Sequence, residues 1–292
     1  MAERTSYSES HLQRVATDTG LNFLRTISTR RGSVLVAEYK KQYVVVKIAD
    51  MTSVETEINL DLPRSVGIKN EARILNMLPQ SIGPKVLDYR EYSDMSYLVT
   101  EYLGNIGEER STIFHLPDPI IGISSAGEAI HRLHSAGVIH GDIQPENILF
   151  YETQGNSLQS RLIDFEHARR IDDPAHRYSG LYHYLTPENS QRLAHKGAIV
   201  TEIQDDVFAF TASCLAMLTC TYPVAYSSPG LDRNQRIDEI AQFRSYSAFG
   251  ASREHMHLAQ NLKNILQLPL SHRPDSINSL MEILFARLQD AA

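Results

Sequence analysis

Three apolar runs follow one another from Leu21: LNFLRTIS, then VLVAEY from Val34 and YVVVKIA from Tyr43. Short polar stretches containing Arg30-Arg31-Gly32 and Lys40-Lys41-Gln42 separate them, a pattern that predicts an antiparallel three-stranded meander. The next segment, VGIKNEARILNML, changes period: Ile68, Ala72, Ile74, Leu75 and Leu78 recur at helical spacing and Pro79 ends the run. GPKVLDY and SYLVTEYLGN read as two further strands, the second running out into a glycine-containing polar stretch. Ile120 to Ala136 predicts a helix, VIHGDIQPENILF follows it, and Leu162-Ile163-Asp164-Phe165 reads as a buried strand ending in an acid. Between the last two, the polar YETQGNSLQS predicts a hairpin with Gly155-Asn156 at its tip.

Val207 to Tyr226 carries no charge over 20 residues, nominally enough to span a membrane. Its serines and threonines, Pro223, and the preceding Asp205-Asp206, which suit a helix N-terminus, make it a buried helix instead. SHRPDSINSLMEIL predicts a final amphipathic helix. Residues 1–20 are polar without a clear period, so they form a tail or an added helix.

The length of 292 residues fits one large domain or two lobes sharing a cleft. Lys and Arg number 28 against 35 Asp and Glu, and the resulting net charge of -7, without a basic run, argues against nucleic acid or an anionic membrane as partner. Cys214 and Cys220 are too few for a disulfide framework or a four-ligand zinc site, and the N-terminus lacks the apolar core of a secretory signal. A reducing cytosol is the expected compartment.

The candidate chemistry sits in VIHGDIQPENILF. Asp142 and Asn147, five positions apart in a loop with Pro145 between them, can turn their oxygens toward one spot, and the strand ending at Asp164 delivers a second carboxylate there. Such a set suits a phosphate-bound Mg²⁺ and a hydroxyl nucleophile. Lys47, embedded in an apolar strand, requires an acid or a phosphate. Glu71 on the predicted helix, Glu55 and Glu57 are the candidate partners. His131, His134 and His140 raise a zinc site as an alternative, but His131 and His134 beside Arg132 read as a solvated helix face and His140 as a brace for the loop.

HGDIQPEN resembles the protein kinase catalytic loop H-R-D-x-x-x-x-N, and Asp164-Phe165-Glu166 resembles the D-F-G metal motif. Gly180 to Glu188, with Tyr184, Pro187 and Glu188, resembles the end of an activation segment. The resemblance implies an α+β bilobal fold: a small antiparallel-sheet lobe with one helix over residues 21–100, a hinge at 101–104 and a large, mainly helical lobe over 105–292, preceded by an extension of residues 1–20. It implies ATP and Mg²⁺ as cofactors, Asp142 as catalytic base, Asn147 and Asp164 as metal ligands, and Lys47, oriented by Glu71, on the nucleotide phosphates. Gly32, Val34, Val45, Thr100, Glu101, Leu103 and Leu149 would border the nucleotide, Thr100 gating the back pocket and residues 101–103 offering backbone groups to adenine. Glu188 would pair with Arg273, and Asp206 would brace the catalytic loop.

This chain departs from the family pattern at several places. Ile27 and Thr29 stand at glycine positions of the phosphate loop, where side chains restrict backbone approach, and Arg30 with Arg31 offers charge instead. Val45 replaces a small alanine, and Gln144 replaces a lysine that neutralises the transferring phosphate. Gly141 replaces the arginine that pairs with a phosphorylated activation segment, so activity independent of Ser179, Tyr182 and Thr186 phosphorylation is expected. Glu166 replaces the glycine of D-F-G, which hinders a backbone flip there; DFE and HGD are reminiscent of choline-kinase-like and aminoglycoside-phosphotransferase-like enzymes. The expected activity is transfer of the ATP γ-phosphoryl group to a Ser/Thr hydroxyl of a protein. The alternatives are a small-molecule kinase acting on another hydroxyl acceptor and a pseudokinase that binds nucleotide and partners.

Overall fold

The computed structural model describes residues 8–29, 32–51, 64–103, 118–152, 157–173, 184–194, 201–220, 251–252 and 255–289. Arg30, Arg31, Glu55, Glu57, the Gly155-Asn156 tip, Ser179, Tyr182 and Pro223 lie outside them. The fold is α+β and divides into two compact units, one of residues 1–104 with 164–166 and one of residues 105–163 with 167–292.

The first unit is a five-stranded antiparallel sheet in the order β1-β2-β3-β5-β4, built from β1 (Asn22–Thr29), β2 (Gly32–Tyr39), β3 (Gln42–Asp50), β4 (Val86–Glu91) and β5 (Met95–Glu101). β1, β2 and β3 are thus the three antiparallel strands that the sequence predicts, and β3 lies between β2 and β5, pairing Lys47 with Val34 on one side and Leu98 on the other. Strand alternation sends Val44, Val46 and Ile48 to one face, where they join Leu35, Ala37, Met95, Tyr97 and Val99. Helix α1 (Glu9–Thr19) packs Val15 into that same cluster. The opposite face carries Ala49 and Leu98 against Ile68 and Ala72 of α2 (Arg64–Leu75). Helices pack on both faces of the sheet, so Val44, Val46 and Ile48 of β3 are buried and Val45 and Lys47 between them half-buried, and β3 reads as a nearly continuous apolar run rather than an alternating one.

Helix α1 begins at Ser8, whose hydroxyl accepts from the His11 N–H while His11 Nδ1 accepts from the Ser8 N–H, each at 3.3 Å. It ends at Gly20 in the left-handed conformation. Arg14 donates to both carboxylate oxygens of Asp94, at 2.7 and 2.9 Å, and the Tyr92 hydroxyl donates to Asp18.

In the second unit, α3 (Pro119–Ser135) packs on β8 (Leu158–Leu162), on α5 (Ile203–Thr219) and on α7 (Ile277–Gln289). The hairpin of β7 (Ile148–Glu152) with β8 and the short pair of β6 (Val138–Ile139) with β9 (Arg169–Arg170) frame the loop between β6 and β7. Helices α4 (Pro187–Ala194) and α6 (Met256–Leu266) complete the unit's helices among the described residues, α6 packing on α5. Every residue of α5 from Asp206 to Thr219 is buried. The Thr211, Ser213 and Thr219 hydroxyls each donate to the carbonyl four residues back at 2.8 Å, so these three buried hydroxyls are satisfied within the helix. Among the described residues no helix is long and apolar enough to cross a membrane.

Candidate active site

In the first unit the chemistry gathers around Lys47. Its strand position turns it to the face covered by α2, and its ammonium donates to Glu71 Oε2 at 2.6 Å, Asp164 Oδ1 at 2.7 Å and Glu166 Oε1 at 3.0 Å. Burial opposes the charge on Lys47, but Asp164, Glu166 and Glu71 outweigh it and hold the ammonium well above the ordinary lysine value. Burial pushes the Glu71 carboxyl up to about 7; Lys47 pulls it down, and Asp164 and Glu166 push it further up. Asp164 takes a left-handed backbone with φ 66°, a conformation that Asp tolerates better than most side chains. The oxygens of Glu71, Asp164 and Glu166 lie within 4.8 Å of one another.

Thr100 is buried on β5 opposite Val45 and Val86, and Val45 is half-buried. The Glu101 N–H donates to the Lys85 carbonyl at 2.9 Å and the Tyr102 N–H to the Tyr43 carbonyl at 3.3 Å. Val34 is buried, and β1 and β2 stay paired through Ile27 with Val34 and Thr29 with Gly32. The strands therefore run as a regular ladder through the positions where the family has glycines.

In the second unit the loop after β6 is tied down by its own side chains. Asn147 Nδ2 donates to the Asp142 carbonyl at 2.9 Å and to Asp142 Oδ2 at 3.1 Å, and Gln144 Nε2 donates to the same Oδ2 at 3.0 Å. Two amides thus orient one carboxylate, with Asp142, Gln144 and Asn147 all buried. Gln144 Oε1 finds no hydrogen-bond partner among the described residues. The Ile163 N–H donates to the Asn147 carbonyl at 3.0 Å, anchoring the end of the loop to the residue before Asp164. Leu149 follows on β7, half-buried and paired with Arg161.

Asp206, at the start of α5, accepts from the backbone N–H groups of His140 at 2.7 Å and Gly141 at 2.9 Å, with His134 Nε2 at 2.9 Å. Burial opposes its ionisation, yet the His134 hydrogen bond, the two histidines and the backbone donors hold it below the usual carboxylate range. His140 is fully buried, its Nε2 on the Ile163 carbonyl at 3.1 Å and its Nδ1 accepting from the Asp142 N–H at 3.3 Å. His134 corrects the expectation of a solvated helix face: its side chain is 8 % exposed and committed to Asp206. Periodicity held the signal, because His134 lies four residues after the buried Ile130 and seven after the buried Gly127.

Arg273 grips Glu188 with two nitrogens at 2.8 and 3.2 Å, donates from Nε to the Leu268 carbonyl and stacks over Phe208 at 4.9 Å. Glu166 is the participant that sequence reasoning passed over. The sequence shows Glu166 as a departure from D-F-G that hinders a backbone flip and resembles DFE-bearing enzymes, but its contact with Lys47 is not visible there because the notch that receives it is a tertiary feature.

The protein kinase domain matches residues 31–287, and the chain belongs to this family. It is similar to calcium/calmodulin-dependent protein kinase cmkA of Emericella nidulans, 28 % identical over 82 % of this chain and 58 % of that protein. It is 26 % identical to serine/threonine-protein kinase pkn2 of Myxococcus xanthus over 75 % of this chain and 26 % of the relative. With serine/threonine-protein kinase SBK1 of Danio rerio it shares 34 % identity over 39 % of this chain and 29 % of the relative. The chain therefore matches between about a quarter and somewhat over half the length of these relatives.

Proposed function

We propose that this chain transfers the γ-phosphoryl group of ATP to a Ser or Thr hydroxyl of a protein, in a reducing, cytosolic compartment. The observation that carries the reading is the Lys47 ammonium held by Glu71 and Asp164 at 2.6 and 2.7 Å, inside a chain of the protein kinase family. Lys47 binds the α- and β-phosphates, and the Leu103 N–H serves adenine. Asn147 and Asp164 would hold Mg²⁺: the Asn147 nitrogen is spent on Asp142, leaving its carbonyl oxygen for a cation, and Asp164 adds a carboxylate, both hard donors of the kind magnesium takes. The ion, when bound, supplies charge neutralisation to the phosphates. Asp142, oriented by Asn147 and Gln144, accepts the hydroxyl proton as the hydroxyl oxygen bonds to the γ-phosphorus and the bond to the β–γ bridging oxygen breaks, releasing ADP. Protein as the acceptor class is supported by the relatives, each named a protein kinase.

Incubation with labelled ATP, Mg²⁺ and a mixture of proteins and metabolites tests this. Label is expected on Ser or Thr of protein, and Asp164→Ala is expected to lower turnover by about a hundredfold or more. Label on a metabolite would make the chain a small-molecule kinase, and nucleotide binding without transfer would make it a pseudokinase; either result overturns the proposal.

A further inference from the structure

We propose that Glu166 is a second anchor for the Lys47 ammonium, a positioning residue that shares with Glu71 the task of fixing the lysine. An ammonium has three N–H donors, and here each meets one carboxylate: Glu71, Asp164 and Glu166. Asp164 is the one of the three that the proposed function assigns to a cation. Glu71 and Glu166 are then the two anchors that remain on Lys47 while nucleotide is bound.

Glu166 is held where it is by residues of α2. Gly67 on α2 leaves the space its side chain fills: a Cβ at 67 would lie 3.1 Å from Glu166 Oε2 and 3.3 Å from its Cβ. Asn70 Nδ2 donates to the Glu166 carbonyl at 3.1 Å, and Arg73 donates to Asn70 Oδ1 at 3.0 Å, which fixes which end of that amide faces Glu166. Gly67, Asn70 and Glu71 share one face of the helix, so α2 presents a notch, a clamp and the first anchor together. The Glu166 side chain is 9 % exposed, so its carboxylate is committed to this cluster rather than to solvent.

The proposal rests on Lys47 taking nucleotide phosphates, and one arm of its test is independent of nucleotide. Glu71→Gln, Glu166→Gln and the double variant are made in the full chain, each checked for folding by its melting transition. Two quantities are read: affinity for Mg·ADP, and the water-exchange rate of the Lys47 ammonium protons by ¹⁵N-edited NMR without nucleotide. Each single variant is expected to weaken Mg·ADP binding by no more than about fivefold, and the double variant by more than about fiftyfold, beyond the product of the singles. Ammonium exchange should rise modestly in each single variant and steeply in the double. Gly67→Ala, which removes no charge and favours the helix, is expected to crowd Glu166 and match Glu166→Gln in exchange. Effects that simply multiply, or exchange unchanged by Glu166→Gln and Gly67→Ala, would overturn the anchor. If the wild type binds no Mg·ADP while the exchange pattern holds, the proposed function fails and the anchor stands.

Discussion

Three carboxylates around one ammonium leave a surplus of negative charge, and Glu71, the most buried of the three, registers it. Its carboxyl is pushed up to about 7 from an ordinary value of 4.5, chiefly by burial. The folded chain therefore holds this proton more tightly than the unfolded chain does. Stability from this group is fullest at low pH, falls as pH climbs between the two values and is level above about 7. Glu71→Gln has no such proton, so from pH 5 to 7 its stability relative to wild type is expected to improve by roughly 1 to 3 kcal/mol. Calorimetric melts of both proteins across that range check it; a difference that stays flat or moves toward the wild type refutes it. Lys47 was legible in the sequence because a charge in an apolar strand needs a partner, and the resemblance of the Glu71 segment to the family's helix singled out Glu71 among the nearby acids. Glu166 was not legible, since its role depends on what Gly67 leaves empty and where Asn70 points, and neither residue carries a local signal.

Helix α1 shows the same limit among secondary elements. Only His11 and Val15 of its residues are buried, a stripe too narrow to stand out from a polar stretch. The period of α2 and the uncharged length of α5 were plain by comparison. Yet α1 closes the sheet face formed by Val44, Val46 and Ile48, and Val15 is fully buried there. Val15→Ala is expected to cost about 2 kcal/mol, as lost transfer energy plus an unfilled cavity. A urea midpoint unchanged by this substitution would mean that α1 contributes no packing. The Arg14 contact with Asp94 is half-exposed and adds little beside it.

Across the whole molecule, the departures from the family pattern bear on whether phosphorylation switches the protein on. Gly141 adopts φ 75°, and a Cβ there would lie 2.8 Å from the His167 carbonyl oxygen, so the arginine found at this place in the family cannot be accommodated without moving backbone. The buried Arg169 is already saturated: Nε and Nη2 donate to the Thr201 carbonyl, and Nη1 to the carbonyls of Arg170, Ile171 and Asp173. It staples the chain after β9 to Thr201 through backbone carbonyls. β9 in turn pairs with β6, the strand that leads into the Asp142 loop. Thr186 is buried, donates to Asp205 at 3.1 Å and accepts from the Asn189 N–H at 3.2 Å, so its hydroxyl is a structural group rather than an accessible acceptor. Replacing it would confound a test of regulation with a loss of packing. The discriminating experiment keeps Thr186, replaces Ser179 and Tyr182 with Ala and Phe, and treats both this variant and the wild type with phosphatase. Turnover is expected to stay within about twofold of the untreated protein, because the Arg169 guanidinium is already committed to backbone carbonyls and Gly141 offers a phosphate no cation. A fall of about tenfold or more on dephosphorylation, with the melting temperature unchanged, would show that an anion is required where the chain supplies carbonyls.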